Sequence, residues 1–296
     1  MAALAAAAWM LAWAGPAAAA GPSSLALDAL AFARDRAHRL ATVGLGVHDL
    51  AARLGPAELS VLTSMTLAHQ RRSYAQDDQA RLAWDNEAGL CLQVTSGPMA
   101  LEAMRVGEAL FVRYNRGQMR RKSGGDMDID QLANQTSGSV AQALLLLEPL
   151  TVDAAEAVTY EHRDAVRFRL AARERPPLAA GAEAPTPQVP ASLIALIPSG
   201  WRARLDQRSV DGFVVVDRAT GVLLQAEIDA RAHIVHAQVA DTALTYRLRH
   251  HLRRIGQQEL IAPPASVPEF RRLSHPRDPL AFFRDPVAAS PPSAAP

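Results

Sequence analysis

Acidic residues and histidines are the first places in this sequence to look for chemistry. Asp126, Asp128 and Asp130 alternate like the first ligands of a calcium-binding loop, which also requires glycine at its sixth position and glutamate at its twelfth. The sequence has Gln131 and Ser137 at those positions. The aspartates are therefore better explained as the cap and first turn of a helix.

Two pairs of histidines are the next candidates for a metal site. His233 and His236 are three residues apart, and His250 and His251 are adjacent. In a β-strand both spacings put the two side chains on opposite faces, where they cannot bind the same ion. We therefore expect neither a metal nor another cofactor.

The single cysteine and the missing catalytic motifs argue against an enzyme. Cys91 lies between Leu90 and Leu92, has no base beside it and has no second cysteine to pair with. The sequence contains no Gly-x-Ser-x-Gly elbow, Walker loop, dinucleotide glycine fingerprint or Cys-x-x-Cys pair. We expect a non-enzymatic protein without catalytic residues; a hydrolase built from dispersed residues is the least supported alternative.

The charge of the chain gives no footprint for nucleic acid. Its 31 basic and 30 acidic residues leave a formal net charge of +1, and the basic cluster from Arg113 to Lys122 is local. We interpret this cluster as a sheet edge protected by charge. A site for a phosphate or a lipid head group is the alternative.

The N-terminus has the pattern of an export signal. Residues 1–20 contain no charged residue, are rich in Ala, Leu and Trp, and end in Ala18-Ala19-Ala20 before Gly21. This is a hydrophobic segment followed by a small-residue cleavage site. We predict a cleaved signal peptide over residues 1–20 and a periplasmic or secreted protein; a retained N-terminal anchor is the alternative.

Two amphipathic segments predict helices. Residues 25–40 carry apolar side chains at helical spacing with charged residues opposite. The second segment follows the aspartates and carries an apolar stripe that includes Leu132, Val140, Leu144 and Leu147, with an interruption around residues 134–139.

Alternation of apolar and polar residues predicts two series of β-strands. In RVGEALFVRYNRGQMRRK, residues 105–122, Leu110 and Val112 share one face, Arg113 lies on the other, and Asn115-Arg116-Gly117 suits a chain reversal. Short links such as Gln76-Asp77-Asp78 indicate turns between antiparallel strands. The predicted strands are 61–68, 80–84, 90–94, 101–106 and 110–114, then 158–160, 166–170, 201–205, 212–217, 222–228, 233–239 and 243–252.

Pro- and Ala-rich stretches set the limits of the folded part. Residues 175–190 and residues 263–296 have few side chains to bury, so we predict a mobile insertion and a disordered tail. Residues 21–262 are then one domain that contains the insertion.

The second strand series resembles a known family. The stretches DGFVVVDRATGVLLQAEIDARA and ALTYRLRHHLRRIGQQELIAPP resemble the C-terminal half of LolA-like lipoprotein carriers and their LppX/LprG-like relatives. The shared features are a strand ending in Asp217, the Thr220-Gly221 turn, an outgoing strand, and a last strand that leads to Ile261 and Pro264. The resemblance implies an α+β fold: a strongly curved antiparallel β half-barrel with helices covering its open side.

The resemblance also implies an apolar cavity that accepts acyl chains. Trp84 and Trp201, like most strand aromatics, fit an ordinary core, and both are also candidates for the cavity wall. A filled core without a cavity is an equally weighted alternative. By alternation, the ligand-binding residues on the concave side are expected to be Leu82, Trp84, Leu90, Leu92, Val94, Leu110, Val112, Val214, Val216, Leu224, Ile228, Leu244, Tyr246 and Leu248.

These patterns lead to one expected function and one alternative. We expect a monomeric, exported carrier or sensor that binds a lipid or the acyl chains of a lipoprotein and has no nucleic-acid partner. The alternative is an envelope scaffold with a filled core, whose partner would be another envelope protein.

Overall fold

The computed structural model describes residues 26–69, 72–115, 117–122, 128–173, 205–236, 239–265 and 267. The predicted signal peptide, the insertion at residues 175–190, Trp201 and nearly all of the predicted tail lie outside the described residues.

The N-terminal helical segment is divided into three helices. Residues 25–40 were predicted as one helix, but Asp35 has an extended backbone with ψ of 117°, and its carboxylate accepts a hydrogen bond from the Ala37 amide at 2.8 Å. This aspartate therefore ends one helix and caps the next. The third helix was not predicted. The helices are α1 (Ala29–Arg34), α2 (Arg36–Val43) and α3 (Val47–Leu54).

The second helical segment follows the prediction. Helices α4 (Ile129–Ser137) and α5 (Ser139–Leu147) are separated at Gly138. Asp128 caps α4, since its Oδ1 accepts a hydrogen bond from the Gln131 amide at 3.0 Å. In the part of the chain that the structure describes, none of the helices has the length and hydropathy that a bilayer span requires.

All described strands belong to one antiparallel sheet. The order across the sheet is β6-β5-β4-β3-β2-β1-β11-β10-β9-β8-β7. Strands that are consecutive in the chain pair with each other, except β6 and β7, which form the two edges of the sheet. In addition, β1 pairs with β11 and thereby joins the two strand series. The strands are β1 (Ala57–His69), β2 (Arg72–Trp84), β3 (Leu90–Ser96), β4 (Met99–Val106), β5 (Ala109–Tyr114), β6 (Arg120–Lys122), β7 (Leu150–Tyr160), β8 (Arg163–Ala172), β9 (Leu205–Asp217), β10 (Leu223–His236) and β11 (Val239–Arg253).

Several strands are longer than predicted because charged residues do not interrupt them. Gln76-Asp77-Asp78 was predicted as a turn but lies inside β2, paired with residues 63–65 of β1. The strands predicted at 222–228 and 233–239 are largely a single strand, β10. Asp229, between them, faces outward and binds Arg249 at 2.6 Å, so its charge is satisfied at the surface.

The sheet curls strongly at one end. The Tyr160 hydroxyl on β7 donates a hydrogen bond to the Leu252 carbonyl on β11 at 2.8 Å. These strands are four places apart, and in a flat sheet they would be separated by about 19 Å. Together with the unpaired edges and the helices on one face, this curl confirms the predicted α+β fold, a curved antiparallel half-barrel.

The hydrophobic core lies between the concave face and the helices. Phe32 of α1 stacks on Phe168 of β8 with ring centroids 4.3 Å apart. Helix α5 buries most of its side chains, including Leu144, Leu145 and Leu147. The chain after β11 returns to the sheet, where the Ile261 amide donates to the buried Asp85 carboxylate at 2.8 Å. Tertiary packing thus fixes helices that are too short to be stable alone.

Candidate functional site

The strand register places the predicted lining residues on one face. Directly paired residues share a face in an antiparallel sheet, and Leu252, Leu59, Leu82 and Leu92 are successive partners across β11, β1, β2 and β3. Continuing this register puts every predicted lining residue on the helix-facing, concave side. The opposite, convex face carries charged pairs such as Arg113 with Glu102.

Most of the predicted lining residues are buried in the core. Val94 and Leu110 are half-buried, and the others are buried. We call the part of the concave side that lies beneath the helices the covered face. Its side chains include five residues with no exposed surface: Leu82, Leu92, Val214, Ile228 and Leu248.

A second part of the concave side remains exposed to solvent. We call Val94, Met99, Leu101 and Tyr114, on β3, β4 and β5, the open patch. Met99 is 47% exposed and Tyr114 is 57% exposed, whereas Leu101 is buried between them and Val94. Single exposed apolar residues are common, but neighbouring ones on a concave surface are typical of ligand sites. The structure therefore offers an apolar surface at this end of the half-barrel.

Sequence reasoning identified only part of the open patch. It named Val94 but omitted Met99, Leu101 and Tyr114. The signal was available for Tyr114, because alternation from Leu110 and Val112 continues to residue 114. Met99 was missed because the strand was predicted to begin at residue 101.

Hydrogen-bonded polar side chains border the open patch. The Tyr74 hydroxyl donates to Gln76 Oε1 at 2.6 Å, and Gln76 Nε2 donates to both Asp78 carboxylate oxygens at 3.0 Å and to Ser96 Oγ at 3.3 Å. These four residues, the polar ladder, lie on the concave side of β2 and β3; Ser96 pairs directly with Met99. The ladder can exchange hydrogen bonds with the polar part of an amphiphile.

A histidine is buried in the covered face. His250 is paired with Val61 and Ala226 in neighbouring strands, and the described chain provides no hydrogen-bond partner for its Nδ1. Burial, with a smaller contribution from His251, lowers the pKa of His250 to about 3. The imidazole is therefore neutral at physiological pH and packs as part of the core.

The remaining candidates do not assemble a reactive site. Burial and the nearby Glu102 raise the pKa of the Cys91 thiol to about 11, which opposes formation of the thiolate. Among the described residues, no three His, Cys, Asp or Glu side chains come together to hold a metal ion. A groove of about 430 Å³ lies on the convex face and is lined mainly by charged residues such as Arg167, Asp211 and Glu227.

Comparison with solved structures returns matches of low sequence identity and low TM-score. LprF from Mycobacterium bovis has 12% identity and a TM-score of 0.33 over 78% of this chain and 97% of that chain. A LolA superfamily protein from Nitrosomonas europaea has 10% identity and a TM-score of 0.21 over 73% of this chain and 96% of that chain. The MucA/MucB complex of Pseudomonas aeruginosa gives 11% identity and a TM-score of 0.21 over 72% and 56%.

One of these solved structures is a protein of the LolA superfamily, which the sequence patterns resemble. Neither a protein-family model nor a curated protein matches this sequence.

Proposed function

We propose that the protein is a non-enzymatic carrier or sensor that holds a lipid, or the acyl part of a lipoprotein, against the open patch. The observation that supports this most directly is the exposure of Met99 and Tyr114 on the concave side of the sheet. Elsewhere on this side, beneath the helices, apolar groups are shielded from water.

Hydrocarbon binding needs only apolar contact. Transfer of a methylene from water to an apolar surface contributes about 0.8 kcal/mol. A chain lying across β3, β4 and β5 gains this contribution wherever it covers Val94, Met99 or Tyr114. No nucleophile or general base is required, which is consistent with a carrier or sensor.

The proposed location is the periplasm or the extracellular space. This location rests on the export pattern of residues 1–20. After removal of that segment, residues 21–262 would be the carrier domain. The sheet supports a single domain, because its strands from β1 to β11 pair continuously across both halves of the chain.

A scaffold without a ligand is the second candidate. The observation in its favour is the packing of the covered face, where Leu82, Val214 and Ile228 have no exposed surface. In that case the open patch would contact an envelope protein instead of a lipid.

Mass spectrometry of the gently purified protein separates the two candidates. We expect an acyl-containing molecule at about one per chain. Repeated preparations without any bound lipid, from cells and after incubation with lipid extract, would favour the scaffold.

A matched pair of variants tests the place of binding. Met99→Glu puts a charge on the open patch, whereas Leu62→Glu puts the same charge on a convex-face residue of β1 that is 45% exposed. We expect Met99→Glu to lose most of the retained lipid and Leu62→Glu to keep it. Equal lipid retention by both variants would show that the lipid does not bind at the open patch.

A further inference from the structure

The edge strand β6 continues the concave surface beyond the open patch. In the register of β5 and β6, Val112 pairs with Arg120 and Leu110 pairs with Lys122, so both basic residues share the concave side with Tyr114. Arg121 pairs with Phe111 and lies on the convex side.

Three residues of this region form a diagonal across the sheet. Leu101 pairs with Tyr114, so Met99, two residues before Leu101, is a diagonal neighbour of Tyr114. Val112 pairs with Arg120, so Tyr114, two residues after Val112, is a diagonal neighbour of Arg120. Diagonal neighbours on one face of an antiparallel sheet are about 7–8 Å apart. An exposed apolar path therefore ends beside a cation at the sheet edge.

Two nearby basic residues outside β6 form salt bridges. Arg105 binds Asp130 of α4, and Arg113 binds Glu102 across the convex face. Within the described ranges of the chain, no carboxylate forms a salt bridge with Lys122. Positive charge beside an exposed apolar surface is complementary to an amphiphile with an acidic head group.

We propose that the ligand of the open patch is an anionic amphiphile, whose phosphate or carboxylate head group binds Arg120 and Lys122 while its chain covers Tyr114 and Met99. This inference rests on the proposed function and defines its ligand class. It assigns to the basic cluster a binding role in addition to the protection of a sheet edge.

Titration calorimetry with two amphiphiles of equal chain length tests the inference. Dodecyl phosphate is the anionic probe and dodecyl maltoside the neutral one, both below the concentration at which micelles form. The test variant is Arg120→Gln/Lys122→Gln, with Lys122→Gln alone as a milder change. The control, Arg81→Gln/Arg231→Gln, removes two charges from exposed residues of the convex face.

The wild-type chain is expected to bind dodecyl phosphate at least about tenfold more tightly than dodecyl maltoside, because charge-assisted contacts add to the same apolar contact. The Arg120→Gln/Lys122→Gln variant is expected to lose this ratio by weakening only the phosphate amphiphile, and Lys122→Gln to lose part of it. The control variant is expected to keep the ratio.

Each of the following outcomes would overturn a stated part of the proposal. Equal affinity of the wild-type chain for both probes would overturn the anionic ligand and leave the carrier proposal intact. An equal loss in the control variant would overturn the assignment to β6. Binding of inorganic phosphate as tightly as dodecyl phosphate would indicate a site for the free anion and overturn the amphiphile. Failure of both probes to bind would overturn both proposals.

Discussion

The covered face and the open patch lie on the same side of one sheet and have the same alternation, yet they meet different surroundings. In the covered face, Phe168 is fully buried and stacks on Phe32 of α1. In the open patch, Met99 and Tyr114 are covered by none of the described helices and are about half exposed. The difference between a buried core and an exposed apolar surface is therefore set by the helices and not by the strands.

This difference assigns separate roles to the two regions. Buried apolar surface in the covered face stabilises the fold, since its side chains are shielded from water. The exposed apolar surface of the open patch contributes little to folding and remains available for a hydrocarbon chain. Substitutions in the two regions are thus expected to affect different measurements.

The largest expected effect is on stability, from a change in the covered face. Phe168→Ala removes the ring that stacks on Phe32 and leaves a cavity, so we expect the free energy of unfolding to fall by about 3–5 kcal/mol. Urea denaturation followed by circular dichroism measures this loss. A loss below about 1 kcal/mol would mean that the covered face is not tightly packed.

The next effect is a pH dependence from His250 in the covered face. Burial lowers the folded-state pKa of His250 to about 3, and the unfolded chain takes up the proton near pH 6.5. The unfolded state then binds more protons, so this contribution is complete above pH 6.5 and is lost as the pH falls toward 3. The slope is about 1.4 kcal/mol per pH unit.

Unfolding free energies at pH 7 and pH 5 test this prediction. We expect the wild-type chain to lose about 2 kcal/mol more between these pH values than His250→Leu does. His48→Leu is the control, because the His48 side chain is 69% exposed. Equal losses in the wild type and His250→Leu would show that this imidazole is not shielded from water.

The smallest expected effect is on stability, from a change in the open patch. Tyr114→Ala removes an aromatic ring that is 57% exposed, so we expect the unfolding free energy to change by less than about 1 kcal/mol. The affinity for dodecyl maltoside is expected to decrease, because the ring belongs to the apolar path. A stability loss as large as that of Phe168→Ala would contradict the distinction between the two regions.

Sequence alternation predicted the faces better than the ends of the elements. Leu82, Leu92 and Leu248 lie on the predicted side because alternation depends only on the pleat of each strand. Strand ends were missed where polar residues occur inside a strand: Asp78 is satisfied by the Gln76 amide, and Asp229 by Arg249. Such pairings depend on chain neighbours that only the fold brings together.

The candidate site was harder to predict than the fold for a related reason. A core residue such as Ile228 and a residue of the open patch such as Val94 have the same pattern in the sequence. Which of them is covered depends on where α4 and α5 lie over the sheet, and that placement follows from long-range packing. The break at Asp35 in the first predicted helix has a local cause, the capping carboxylate, and is visible once the cap is considered.

The most direct test is photolabelling with a fatty acid that carries a diazirine along its chain, followed by mapping of the labelled residues. We expect labels at Met99, Tyr114 and neighbouring residues of β3, β4 and β5, with the covered face unlabelled in the folded protein. Labels concentrated on Leu224, Ile228 or α5 would place the hydrocarbon beneath the helices, and labels on the convex face near Leu62 would place it outside the half-barrel. Either result would contradict the assignment of lipid binding to the open patch.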